Sequence, residues 1–412
     1  MPSRTENDFL GLAPFLRLSI NGADLRQIAQ ALLDKAGQDE DNPSLWMNLS
    51  TAFFAIGERQ LGLTMQEQAL QMQRIHALPA QHQPARLRLL VLLSAGDLAE
   101  NTPVDCLLEK SEDIDLVYAY ATPDMPLPAG LPEHDVLLLA LSDTTDTRPI
   151  LDALEFLLAD WPCPVINTPA AIRNTERGRA SALLGDVPGL LMPPTRLVSR
   201  ATLVAMVMGT ARIEDVFEGC SFPIILRPIG SQAGRDLDRL DSADDIPGYL
   251  SRVSETEFYL SRFIDYSGTD GRFRKYRVAL IDGQPFACHM GVSSHWMIHY
   301  LNAGMYEDAA KRAEEQAFME HFADFARRHA PALEAVYRRS GLDYLCIDCA
   351  ETRDGQLLVF EMDHAMVVHA MDPADLFPYK QTHMLKVRHA FEACLAARAA
   401  RRPQPESANP SA

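Results

Sequence analysis

Gly341-Leu-Asp-Tyr-Leu-Cys-Ile-Asp348, a turn at Asp354-Gly355, and Leu357-Leu-Val-Phe-Glu361-Met-Asp363 form the stretch that decides the fold. Two apolar runs joined by a tight turn predict an antiparallel β-hairpin. Residues 361 and 363 then point to one face of their strand, and the turn brings Asp348 close to them. Three carboxylates converging on one point repel strongly unless a hard cation sits between them. Magnesium favours such oxygens and usually completes its shell with phosphates. A hairpin whose acids face solvent is the simpler alternative.

Upstream lies Phe222-Pro-Ile-Ile-Leu-Arg227-Pro228-Ile-Gly230-Ser231-Gln-Ala-Gly234-Arg235. A buried strand there delivers a cationic side chain, and a glycine-containing loop follows at once. Glycine lets backbone N–H groups close over phosphate oxygens, and Arg227 can pair with them in a fork. An ordinary strand-to-turn transition is the competing reading. A third feature is His289-Met-Gly-Val-Ser-Ser-His295-Trp296-Met-Ile-His299-Tyr300-Leu-Asn302. His295, His299 and Asn302 could bind a carboxylate or steady an acyl phosphate. A partly buried aromatic strand with hydrogen-bonded histidines would look the same. His364 and His369 follow the acidic hairpin and are candidates to join it. Cys346-Ile-Asp-Cys349 spells C-x-x-C inside an apolar strand with no second pair, which argues against zinc or redox use.

Further outward the periodicity divides the chain. From Ala23 to about Ala77 the pattern is helical, with Leu25, Ile28, Leu32 and Leu33 expected on one buried face. Asn42-Pro43-Ser44 reads as a helix start. Trp46, Leu49, Ser50, Phe53, Gly57 and Ala69 resemble one tetratricopeptide repeat, and a generic helical hairpin is the alternative. From Arg86 the runs Leu89–Leu93, Leu116–Ala121, Val136–Leu141 and Val165–Asn167 are short and apolar, with a helical stretch at Thr147–Leu158. Buried parallel strands alternating with helices look like this. A second α/β segment, 190 to 400, holds strand-like Ile224–Leu226, Phe258–Ile264, Arg277–Ile281 and Leu357–Glu361, and one long amphipathic helix over Asp308–Arg339. The expected organisation is a helical module (1–80), an α/β domain (86–190), a second α/β domain (191–400) and a disordered tail (401–412).

The 412 residues carry a formal charge of −18, against nucleic acid or an anionic membrane as the main partner. No apolar run approaches the ~20 residues a membrane helix needs, and the opening residues lack the pattern of a signal peptide. Seven scattered cysteines fit a reducing compartment, so a cytoplasmic location is expected.

In this order, the acidic hairpin and the Arg227 loop resemble the ATP-grasp superfamily, in particular its carboxylate–amine ligases such as the ribosomal-protein glutamate ligase and glutathione synthetase. The resemblance covers residues 86 to 395 and rests on the ordered set of motifs. Arg177, ahead of Leu183-Leu184 and Pro193-Pro194-Thr195, resembles the family's linker. Ile225-Leu226-Arg227-Pro228 resembles the strand that normally ends in Lys-Pro. Tyr259-Leu260-Ser261-Arg262-Phe263-Ile264-Asp265 resembles the hinge strand that holds adenine, and Tyr276-Arg277-Val278 through Asp282-Gly283 the Arg-Val strand and hairpin. The resemblance implies an α/β pre-grasp domain and a two-lobed grasp fold. It implies ATP held by Arg177, Arg227, Gly230, Ser231, Gly234, Arg262, Phe263, Ile264 and Asp265, Arg277 at the phosphates, and Mg2+ on Asp348, Glu361 and Asp363.

Arg177 and Arg227 stand where lysines are usual, Asp363 replaces the usual Asn, and Lys275 stands where an acidic residue is frequent. The implied activity joins a small-molecule or peptide carboxylate to an amine through an acyl phosphate. Phosphoryl transfer to a hydroxyl and a non-catalytic nucleotide-binding scaffold stay open as alternatives. A protein partner on the helical module and a homodimer are further expectations.

Overall fold

The computed structural model describes residues 7–231 and 234–401, so the tail from 402 onward and Gln232-Ala233 lie outside the described residues. The chain forms two compact units: Met1–Ile172 with Leu342–Leu345 and His364–Ala412, and Arg173–Gly341 with Cys346–Asp363.

The first unit opens with four helices, Ala13–Ile20, Leu25–Ala36, Pro43–Ala55 and Arg59–Met72. Asp24 caps the second by accepting from Arg26 and Gln27 N–H, and Asn42 caps the third through Ser44 N–H. The buried stripe of the second is Leu25, Ala29, Leu32 and Ala36, whereas Leu33 is 38% exposed. The third and fourth helices meet closely at Gly62, where an added Cβ would lie 2.6 Å from the Phe54 ring. Ser50 Oγ donates to Gly62 O at 2.7 Å. Phe54 is therefore the aromatic of this hairpin, and the expected Phe53 is less buried.

The helical pattern ends at Met72, not Ala77. Strand β1 (Ile75–Leu78) follows and pairs antiparallel with Ile114–Ala121, aligning Ile75 with Ala119. The sheet comprises β1, β2 (Leu87–Ser94), β3 (Ile114–Ala121), β4 (Val136–Leu139) and β5 (Val165–Ile166), in the order β1-β3-β2-β4-β5. β2 to β5 are mutually parallel, and Leu89–Leu92 and Val136–Leu139 are fully buried, as strands covered on both faces must be.

The second unit contains two sheets. β7 (Thr195–Ser199), β8 (Ile224–Pro228), β9 (Asp238–Leu240) and β10 (Glu257–Arg262) form an antiparallel sheet in the order β7-β10-β8-β9. Leu203, Met206, Ile246 and Tyr249 from two short helices pack on its Ile224, Leu226, Phe258 and Leu260. The second sheet runs β12-β11-β13-β14-β6 and comprises β6 (Leu190–Leu191), β11 (Phe273–Ile281), β12 (Gln284–Ser293), β13 (Tyr344–Glu351) and β14 (Leu357–Asp363). Asp282 and Gly283 join β11 to β12 with φ of 48° and 80°, the positive pair that a two-residue hairpin loop requires.

The single helix expected over 308–339 is three: Ala309–Glu320, Phe322–Arg328 and Ala330–Ser340. His321 and His329 at the joints have ψ of 20° and 13°, and Pro331 removes an N–H from the third helix's first turn. The side-chain period continues across both joints, which is why the sequence reads as one helix.

Candidate functional site

The acidic hairpin sets the register of the site. Asp348 on β13 lies opposite Glu361 on β14, and Cys346 lies opposite Asp363. Directly opposed residues share a face, and positions 361 and 363 share one through the two-residue period. The three carboxylates therefore line one face, as the sequence suggests. Their partners are different from those expected.

β11 is the other neighbour of β13 in the sheet, and it delivers Lys275 and Arg277 from one side of its own pleat. Lys275 Nζ donates to Asp348 Oδ2 at 2.8 Å. Arg277 Nε donates to Oδ1 at 2.8 Å and Nη2 to Oδ2 at 3.0 Å. Asp348 is 4% exposed. Burial alone would raise its pKa, but the Arg277 guanidinium and the Lys275 ammonium override this and hold the carboxyl well below the usual carboxylate range. Burial acts against Arg277 as well, and the Asp348 charge reverses that and keeps the guanidinium firmly protonated.

Glu361 accepts a close hydrogen bond from Arg177 Nη2. Arg177 begins the helix Arg177–Leu184, whose N-cap Glu176 accepts from Gly178 and Arg179 N–H. Tyr259 OH on β10 donates to Glu176 Oε1 at 2.9 Å, tying this helix start to the first sheet.

Arg227 on β8 completes the cluster. It is 8% exposed, and burial, followed by repulsion from Arg177, lowers its pKa to about 9. Its Nη2 donates to Ser231 O, while its buried Nε has no hydrogen-bond partner among the described residues. A buried donor without an acceptor is costly, and an anion would satisfy it. The loop beyond turns through Gly230 (φ 70°) and Gly234 (φ 75°), and Ser231 Oγ donates to Arg235 O. A Cβ on Gly234 would lie 3.1 Å from Met297 Sδ, so the loop runs against the histidine-containing segment.

That segment also packs on Phe263, in the stretch expected to hold adenine. Trp296 packs edge-on to Phe263 at 5.7 Å between ring centroids, and the Arg239 guanidinium lies 4.4 Å from the centroid of the Phe263 ring. Phe263 N–H donates to Pro223 O at 3.0 Å. Arg262 is exposed at the end of β10, Ile264 packs beside Tyr266, Ala350 and Leu358, and Asp265 accepts from Ser267 N–H at 2.9 Å.

The histidines divide. His299 is half-buried, and burial, then the charges of Lys275 and Arg277, lower its pKa; it is therefore electrostatically part of the cluster. His295 is exposed, and its Nδ1 accepts from Met297 N–H at 3.2 Å. Residues 295 and 299 do not share a helix. Asn302 Oδ1 accepts from His299 N–H at 3.0 Å and caps a 3-10 turn. His364 lies in the other unit, fully buried, with Nε2 bonded to Leu141 O at 3.1 Å. Cys346 and Cys349 are buried thiols.

Among the described residues no three His, Cys, Asp or Glu side chains are gathered as a metal would need. Magnesium takes hard oxygen ligands and keeps phosphate or water among them. Glu361 and Asp363 fit that requirement in type and face, whereas both oxygens of Asp348 already accept from Lys275 and Arg277. The sequence names Lys275 only as a departure from a pattern. Its partnership with Asp348 had one visible signal, the two-residue spacing to Arg277.

No family model matches the chain, and no curated protein matches it. Solved structures do show a likeness. A D-alanine–D-alanine ligase from Bacillus anthracis complexed with ATP is 16% identical, with a TM-score of 0.45 over 76% of this chain and 99% of that one. An ATP-grasp RimK domain protein from Sphaerobacter thermophilus is 15% identical, with a TM-score of 0.43 over 75% and 99%. A D-Ala:D-Ser ligase from Enterococcus faecalis is 10% identical, with a TM-score of 0.46 over 75% and 99%.

Proposed function

We propose that this chain is an ATP-dependent ligase of the ATP-grasp type, joining a carboxylate to an amine through an acyl phosphate. The observation that supports this most is Arg227: a buried guanidinium beside Arg177, whose Nε has no hydrogen-bond partner among the described residues, at the start of a glycine-containing loop. A buried guanidinium with a second cation beside it creates a demand for an anion. A triphosphate would supply acceptors for the Arg227 guanidinium and negative charge beside Arg177, Lys275 and Arg277.

In this reading Arg227 and Arg177 bind the phosphates, with Gly230, Ser231 and Gly234 shaping the loop that closes over them. Phe263 N–H is engaged with Pro223 O, so the adenine contact falls to the backbone of Ile264 and Asp265, with Arg262 at the strand end. Glu361 and Asp363 would hold Mg2+, which supplies charge neutralisation at the phosphates when bound. Arg277, fixed by Asp348, presents a positive edge to the transferring phosphoryl group. A substrate carboxylate oxygen attacks the γ-phosphorus, ADP leaves, and the amine then attacks the acyl carbon and displaces phosphate, losing its proton. His299 faces the acceptor side, with Asn302 holding the turn and His295 near it. The acid and the amine are small molecules or peptide termini.

Isothermal titration calorimetry with ADP tests the nucleotide site. Hydroxylamine trapping during ATP turnover on a panel of carboxylic acids tests the chemistry. Hydroxamate formation supports ligation, and ADP release without hydroxamate supports phosphoryl transfer to a hydroxyl. Absence of nucleotide binding overturns the proposal.

A further inference from the structure

Lys275 occupies a position with a chemical meaning of its own. Asp348 is the most buried of the three acids on the hairpin face, and three N–H donors from Lys275 and Arg277 fill its two oxygens. A divalent cation at Asp348 would have to displace both. The ammonium is a compact point charge with three donors, and its hydrogen bond among the described residues is the one to Asp348. Its position is fixed by the strand register: β11 is the sheet neighbour of β13, and Lys275 and Arg277 are two residues apart on β11. His299 approaches from the segment after β12 and feels Lys275, Arg277 and Asp348 together. On the other side Glu361 is engaged by Arg177.

We propose that Lys275 is a built-in cation of the phosphate site, standing at Asp348 in the place of a divalent metal, so that nucleotide polyphosphate binds here without added metal. The inference rests on the nucleotide reading above. Three consequences follow. The Asp348 locus accepts no metal while Lys275 is present. Metal at Glu361 and Asp363 adds to nucleotide affinity but does not create it. Reversing the charge at 275 converts metal-independent binding into metal-dependent binding, because a carboxylate there, with Asp348 beside it, makes an oxygen site that needs a divalent ion.

The experiment is calorimetric titration of the full-length protein with ADP, once in EDTA and once in excess MgCl2, for wild type, Lys275→Glu and Lys275→Arg. Wild type should bind in EDTA within about tenfold of its affinity in magnesium. Lys275→Glu should lose about tenfold to a hundredfold in EDTA, the scale of one charge-assisted hydrogen bond, and recover in magnesium. Lys275→Arg keeps the charge and should stay close to wild type in EDTA. Wild type that binds ADP only with magnesium overturns the role of Lys275 and leaves the nucleotide site standing. Wild type that binds in neither buffer overturns the nucleotide site itself. The wild-type pair decides the matter even if Lys275→Glu fails to fold.

Discussion

Replacing Asp348 by Asn tests the electrostatic arrangement at its centre. The substitution keeps shape and removes one charge. It leaves Lys275 and Arg277, whose side chains are 18% and 17% exposed, facing an amide that is 5% exposed in the parent side chain. Removing one partner of a buried ion pair costs about 3–5 kcal/mol, and the partial solvent contact of the two cations favours the low end, about 3 kcal/mol. At roughly 2–4 °C per kcal/mol for a unit of this size, the melting temperature should fall by about 6–12 °C. The pH dependence has a definite sign. Asp348 has a folded pKa below its unfolded value, so its contribution is complete above the unfolded value of about 3.9 and is lost as pH falls below it. The gap between wild type and variant should be flat at neutral pH and close in acid. Thermal melts at neutral pH and near pH 3 measure both. An unchanged or higher melting temperature at neutral pH would refute the reasoning, because it is the result expected if the three acids merely repel one another.

Arg227→Ala should weaken ADP binding by about 1.5–3 kcal/mol in calorimetry while the melting temperature holds or rises, since an unsatisfied buried donor is removed; a large loss of stability would assign Arg227 to the core instead. His299 should titrate below 6.5 by NMR, because burial and two nearby cations disfavour its charged form; stability should therefore rise with pH through the window between the folded value and 6.5, and a midpoint above 6.5 would place the ring outside the cluster. Gly234→Ala should cost about 1–2 kcal/mol in a denaturant titration, because the residue has φ of 75° and Met297 Sδ stands 3.1 Å from the new Cβ; a neutral variant would mean that the loop and Met297 move apart freely.

The parts of the fold that could be read from sequence are those with local causes. Leu89–Leu93 and Val136–Leu139 are strands because unbroken apolar runs of that length need two covered faces, and the Asp282-Gly283 turn follows from its positive-φ residues. β1 was hidden because Ile75–Leu78 continues a helical pattern, and only pairing with β3, about forty residues later, makes it a strand. The joints at His321 and His329 preserve the side-chain period, so nothing in the spacing marks them. The same distinction governs the site. The hairpin brings Asp348 beside Glu361 through local geometry, whereas the Lys275–Asp348 contact depends on β11 lying next to β13, strands separated by more than sixty residues. Sequence spacing names the acids, and sheet order supplies the counter-charges of Asp348.

Trp296, packed on Phe263 just beyond β10, gives the second unit its own optical reporter. The chain has three tryptophans, and the other two, Trp46 and Trp161, belong to the first unit. Its carbonyl is held by Tyr266 OH and the neighbouring Met297 touches the glycine loop, so the indole senses both the adenine end and the phosphate end of the proposed site. Emission from this residue, isolated by subtracting a Trp296→Phe variant, gives a stopped-flow test of nucleotide binding at the proposed site that needs no label and no knowledge of the acid or the amine.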